Sequence, residues 1–224
     1  MGAGALGQSM YSLASYTYST LRSALVADST TANDAAAVAT LPSTNPTGNG
    51  TMWLSTAQAK ALGLTSGSFT DGSVGFSSGV AWDYNNSDGV TAGSYDLFGT
   101  VMHEISEVLG RATYDGVSFN GTFAYNPLDL FHYSSSGVRT FSGTTPGYFS
   151  IDGGVTNLNS FNTSSGADFG DWAGATVDAA NAFGSPNVIM PFSTVDLTAM
   201  DAIGWSAPSQ TMPSEWVNQS MEEV

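Results

Sequence analysis

The sequence predicts an α+β fold, and three observations carry that reading. Apolar residues recur at helical spacing through 94–111, which reads SYDLFGTVMHEISEVLGR. Short runs rich in β-branched and aromatic residues, bounded by Gly, Asn, Asp and Pro, lie on both sides of it. A second capped helical pattern stands near the end, at 193–203. Helices, then strands, then the 94–111 helix fit a lobe in which that helix packs on a sheet.

In chain order, residues 11–27 read as a helix with Leu13, Leu21, Leu25 and Val26 inward, and 30–40 as a second, Ala-rich helix. Pro42, Asn45, Pro46, Gly48 and Gly50 make a loop. Residues 51–55 form a strand, and Ser55 with Gln58 makes a capping box that opens a helix to Leu62, closed by Gly63. Strands follow at 74–78 and 80–85. In the 94–111 helix, Leu97, Phe98, Val101, Met102, Ile105, Val108 and Leu109 form the inward stripe, with Ser94 as N-cap and Gly110 at the C-terminal turn.

Beyond Arg111 the chain is rich in Gly, Ser, Thr and Asn. A hairpin is expected from 128–133 and 138–141, a strand at 148–152, and a loop at 153–176 in which Asp168, Phe169, Asp171 and Trp172 are packing points. Residues 179–183 read as helical. The 193–203 helix stops at Gly204, and a short helix is expected at 214–222 in the tail. The chain therefore reads as one domain over 1–224, with an N-terminal lobe (1–111), a C-terminal lobe (112–205) and a tail (206–224).

Charge narrows the function classes. The 224 residues carry 19 Asp and Glu against 4 Lys and Arg, a formal charge of −15. Such acidity speaks against nucleic acid and anionic membranes as partners. There is no cysteine, which excludes disulfides and thiolate metal sites. No run approaches the roughly 18 apolar residues of a membrane span. The Met1-Gly2 start carries no basic and apolar leader pattern. Low lysine with abundant Gly, Ser, Thr and Asn resembles bacterial extracellular proteins, so a secreted protein is expected; a monomer is expected as well.

The polar face of the 94–111 helix carries the chemistry. His103 and Glu107 are four apart, so they stack on one face and can grip one ion together, with Glu104 one step round the same turn. This differs by one residue from the zinc-protease helix motif, in which two His four apart bind zinc and the Glu after the first His is the general base. Here Glu107 replaces the second His, and a carboxylate is an accepted zinc ligand. The plain alternative is a core helix with a solvated polar face. Asp83, Asn85, Ser87 and Asp88 before Gly89 resemble a calcium loop, one residue off the spacing and without the closing Glu. Calcium is thus a second possible ion, although an Asx-rich turn explains the same residues.

Further residues carry a family resemblance. HEISEVLGR at 103–111 resembles the active-site helix of the metzincin zinc peptidases, VIMP at 188–191 resembles their Met-turn, and TVDLTAMDAIGW at 194–205 is similar to their closing helix. More narrowly, the chain resembles a group of bacterial secreted metalloproteases with HEISE in place of HExxH, through DLF at 129–131 and YFSIDGGVTNLNSFNT at 148–163 as well. The resemblance implies a zincin-like fold: an N-terminal sheet with the active-site helix, then an irregular C-terminal lobe with the Met-turn and closing helix. It implies a zinc-dependent endopeptidase acting on protein or peptide substrates. Glu104 would be the general base, His103 and Glu107 zinc ligands, and Met190 the floor beneath the ion.

Three departures from the family pattern stand out: Glu107 itself, the lack of His or Asp in 111–114, and Phe192 where some metzincins have a tyrosine. With two histidines in the chain, a three-His site is impossible. The third ligand is expected to be Asp129 or His132, with the resemblance favouring Asp129 and Asp115 next in line. Arg111 or Tyr133 could steady an oxyanion. Two other readings stand beside the peptidase: a non-catalytic metzincin-like binding or surface-layer module, and an acidic calcium-binding surface protein.

Overall fold

The computed structural model describes residues 4–206 and shows a mixed α+β protein with several small sheets. The chain opens on two strands, β1 (Gly7–Tyr11) and β2 (Leu13–Tyr16), broken at Ser12. The Ser12 N–H donates to the Asp71 carbonyl (2.8 Å) and its carbonyl accepts from the Thr56 N–H (2.9 Å). The helix expected from residue 11 therefore starts later, as α1 (Tyr18–Asp28), capped by Thr17. Alternating Ser, Tyr and Leu before Thr17 suit a pleated surface better than a helix. In α1, Tyr18, Leu21 and Leu25 are buried at helical spacing. Next comes α2 (Ala32–Thr40), opened by a reciprocal capping box between Thr31 and Asp34.

β3 (Thr51–Ser55) buries Met52 and Leu54 completely. Ser55 then caps α3 (Thr56–Ala61), but the return bond of a capping box is absent. The Gln58 side chain instead donates to the Ile203 carbonyl at 2.9 Å, which ties α3 to the end of the described chain. β4 (Gly72–Phe76) pairs antiparallel with β1, and a short parallel pair follows: β5 (Trp82–Asp83) and β6 (Tyr95–Asp96).

Helix α4 (Leu97–Val108) starts one turn's fraction later than expected, with Asp96 rather than Ser94 as N-cap. The expected apolar stripe is only half-buried, with Leu109 packed on the core, and the most buried face is the polar one. Gly99, Thr100, Glu104, Ser106 and Glu107 are the buried residues, whereas Phe98 (61 %) and Ile105 (39 %) are exposed. Polar groups can occupy the inner face because other elements supply their partners, and burial without partners would be costly.

After α4, residues on the far side of Arg111 return to the first sheet. The hairpin of β7 (Val117–Phe119) and β8 (Thr122–Tyr125) turns at Asn120-Gly121, where both φ angles are positive (49° and 79°). β8 pairs parallel with β3, giving the order β2-β3-β8-β7. Residues Pro127–Phe131 make a 3-10 turn where a strand was expected. The predicted hairpin survives as β9 (His132–Ser135) and β10 (Val138–Arg139), which joins β11 (Tyr148–Phe149) and β12 (Asn159–Ser160) in the order β10-β9-β11-β12.

Residues 179–183 are not helical. They run beside Trp172, whose N–H donates to the Ala180 carbonyl at 2.9 Å. α5 (Thr194–Ala202) matches its expected span, and Ser193 and Asp196 form its capping box. One hydrophobic cluster runs through both halves, from Leu21, Met52 and Leu54 to Leu130, Phe149, Trp172 and Ile203. The helix expected at 214–222 lies outside the described residues.

Candidate metal centre

α4 sets two side chains one turn apart on its inner face. His103 Nε2 lies 3.3 Å from Glu107 Oε1. A third group reaches the same spot from the irregular C-terminal half: Asp171 Oδ1 is 3.6 Å from His103 Nε2. The ligand atoms of His103, Glu107 and Asp171 all lie within 4.8 Å of one another, a group that could hold a metal ion.

Each member is held by an outer partner. The His103 Nδ1 is 2.8 Å from the Ala179 carbonyl, so Nδ1 carries the hydrogen and Nε2 faces the group. Ala179 is itself fixed, because its N–H donates to the Pro191 carbonyl at 2.9 Å. Asp171 is clamped by the fully buried Arg111, whose Nη2 donates to Asp171 Oδ1 at 3.0 Å. The same guanidinium reaches the Gly170 carbonyl (3.1 Å) and Ser106 Oγ (2.8 Å), and Ser106 Oγ donates to the His103 carbonyl (2.6 Å). Gly110, with φ 106°, turns the chain so that Arg111 can enter this position. Next to Asp171, the Trp172 indole anchors the segment by donating to Asp196 Oδ1 at 2.7 Å. Ser9 on β1 holds Glu107 from the other side, its hydroxyl donating to Oε2 at 2.5 Å.

Glu104 sits beside this group, buried, with β1 passing directly over it. A Cβ at Gly7 would collide with the Glu104 carboxyl, so only glycine lets the strand come this close. Burial and the charge of Glu107 push the Glu104 carboxyl up to about 7. Burial opposes the charged form of His103, yet Asp171 and Glu107 outweigh it and raise the imidazole to about 9. Burial works upward on Glu107 too, but its hydrogen bond with His103 and that residue's charge leave its carboxyl below the ordinary value. In the metal-free molecule, then, a proton on His103 Nε2 stands where a cation would.

Met190 is close at hand. Its N–H donates to Oδ2 of Asp96, the N-cap of α4, at 2.9 Å. A Cβ at Gly99, one turn before His103, would lie 2.5 Å from the Met190 carbonyl oxygen. Met190 is 6 % exposed and lines the same cleft as His103, Glu104 and Glu107, a cavity of about 1260 Å³.

The expected third ligands lie elsewhere. Asp129 is fully buried and accepts from the backbone N–H groups of Asn126 (2.6 Å), Tyr114 (3.1 Å) and Asp115 (3.3 Å). Both of its oxygens are thus engaged in fixing two turns, and burial with the neighbouring Asp115 holds its carboxyl well above the usual range. His132 is buried on β9 against Phe161, ring centroids 4.5 Å apart, with Nδ1 3.8 Å from Asp115 Oδ1. Neither joins the group around His103; Asp171 takes that place. Arg111 is a clamp rather than a free donor to the cleft, and Tyr133 is fully buried beneath Arg139. The tyrosines that line the cleft are Tyr11, Tyr95 and Tyr114.

The calcium-like segment folds as Asx turns. Asp83 accepts from the Asn85 N–H (2.8 Å) and the Thr91 N–H (2.7 Å), and Asn85 accepts from Ser87. Among the described residues, no metal-capable group forms there.

Asp171 was legible only indirectly. Arg111 is one of four cations in the chain and ends an apolar helix, so it needs a carboxylate partner. The sequence offers no distance between positions 60 apart. No family model, curated protein or solved structure matches the chain.

Proposed function

We propose that this protein is a metal-dependent endopeptidase of metzincin-like kind, with zinc as its ion and protein or peptide chains as its substrates. The observation that carries the proposal is the convergence of His103 Nε2, Glu107 Oε1 and Asp171 Oδ1 beside Glu104 in a cleft. The residues fit a divalent cation: two carboxylates neutralise its charge, the imidazole presents Nε2, and every ligand has an outer partner. An oxygen-rich set of this kind is harder than a three-His site and also suits manganese or iron. Met190 beside α4 supports the metzincin-like reading. An extracellular setting rests on composition, and no helix among the described residues is long and apolar enough to cross a membrane.

When bound, the ion would lower the pKa of a water towards neutrality and polarise a carbonyl. The chain's own residues do the rest. Glu104, with a carboxyl near neutrality, accepts a proton from water in the cleft and passes it to the leaving amine. Ala179 keeps the His103 ring oriented, and Arg111 keeps Asp171 against it. The test is metal content of the purified protein, followed by peptide hydrolysis with and without chelator for the parent and Glu104→Gln. Glu104→Gln should keep the metal and lose about 100-fold or more of the hydrolysis. Hydrolysis retained in that variant contradicts the role of Glu104; metal without any hydrolysis in the parent makes the chain a binding module instead.

A further inference from the structure

We infer that Ser9 is a positioning residue of the metal group, one that dictates which oxygen Glu107 presents to the ion. This rests on the metal reading above. β1 alternates with a period of two: Gly7, Ser9 and Tyr11 are half-buried, whereas Gln8 and Met10 are exposed. Its pairing with β4, Ser9 opposite Val74, holds the strand in register over α4. Gly7 then passes Glu104 and Ser9 meets Glu107, two steps along the strand for three along the helix.

The hydrogen bond divides the Glu107 carboxylate. Oε2 accepts from Ser9 at 2.5 Å, while Oε1 faces His103 Nε2 at 3.3 Å. One oxygen is left for the ion, so Glu107 would bind through a single atom and leave room for water. The need is specific to this chain. A Glu side chain has one more rotatable bond than a His at the same position, and a free carboxylate can swing to offer both oxygens. His103 is held by Ala179 of the C-terminal half and Asp171 by Arg111 just beyond α4; for Glu107 the strand β1 supplies the partner.

The test compares Ser9→Thr with Ser9→Val, two strand-compatible side chains of the same shape that differ only in the hydroxyl, with Ser9→Ala as a smaller third variant. Zinc affinity is measured by competition with a chromophoric chelator, and the visible spectrum of bound cobalt(II) reports the coordination number. Ser9→Thr should stay within about threefold of the parent, while Ser9→Val and Ser9→Ala weaken zinc by about 10–100-fold. Their cobalt spectra should move towards higher coordination, and that of Ser9→Thr should not. Equal affinities for Thr and Val, or unchanged cobalt spectra in Val and Ala, overturn the role of Ser9 and leave the metal reading standing. No metal uptake by the parent overturns both.

Discussion

Asp171→Asn is the substitution with the sharpest consequence. It keeps the shape of the side chain but removes the charge that faces His103 at 3.6 Å and Arg111 at 3.0 Å. Arg111 is fully buried and Asp171 nearly so, so solvent cannot replace the lost partner. Breaking such a pair costs about 3–5 kcal/mol, and the retained amide oxygen of Asn still accepts one bond, which places the loss near 3 kcal/mol. For a chain of 224 residues, each kcal/mol lowers the melting temperature by about 2–4 °C, so a drop of roughly 6–12 °C is expected in chelator. Zinc should also be lost, because one of three ligands becomes neutral. The assay is a circular-dichroism melt without metal, with zinc content measured in parallel. A variant that melts within about 2 °C of the parent and binds one zinc would refute the placement of Asp171 in this group.

Three further outcomes are expected. Asp129→Ala and His132→Ala should each keep the metal; Asp129→Ala should be destabilised by about 2–4 kcal/mol in urea, since three backbone N–H groups lose their acceptor. Loss of zinc in a folded His132→Ala would restore His132, the alternative to Asp129 as the third ligand expected from sequence. Metal binding should release a proton from His103, raised from 6.5 to about 9, so apparent affinity falls about tenfold per unit of pH below that value; calorimetry in buffers of different ionisation enthalpy at pH 7 should show it, and zero proton release contradicts it. For the metal-free fold the sign is the reverse: the folded value lies above the unfolded one, so the stabilising contribution of His103 is complete below about 6.5 and lost as pH rises through about 9. Gly99→Ala should destabilise by about 1–3 kcal/mol, because its Cβ would meet the Met190 backbone at 2.5 Å; an unchanged urea midpoint would mean that this approach is not tight.

Local chemistry was readable from the sequence. The capped pattern at 193–203 with Gly204 after it located α5, and His103, Glu104 and Glu107 were found from their spacing on one helix. What depended on tertiary placement was not. The apolar stripe of α4 is only half-buried, with Phe98 and Ile105 exposed, because amphipathicity shows that a helix has two faces but not that polar partners such as Ser9 and Asp171 await the other one. The Asn120-Gly121 turn was a local signal passed over, and with it the β7–β8 hairpin that joins the first sheet from beyond Arg111. Asp129 carried the right residue type within a recognisable segment, but its oxygens were already engaged by three backbone donors, which no side-chain pattern reveals.

The most direct test of the metal centre is a crystal of the zinc-loaded protein measured on both sides of the zinc absorption edge. The expected result is one anomalous peak bounded by His103 Nε2, Glu107 Oε1 and Asp171 Oδ1, at about 2.0–2.2 Å from each. A peak beside Asp129 or His132, or none in a crystal soaked in zinc, would contradict it.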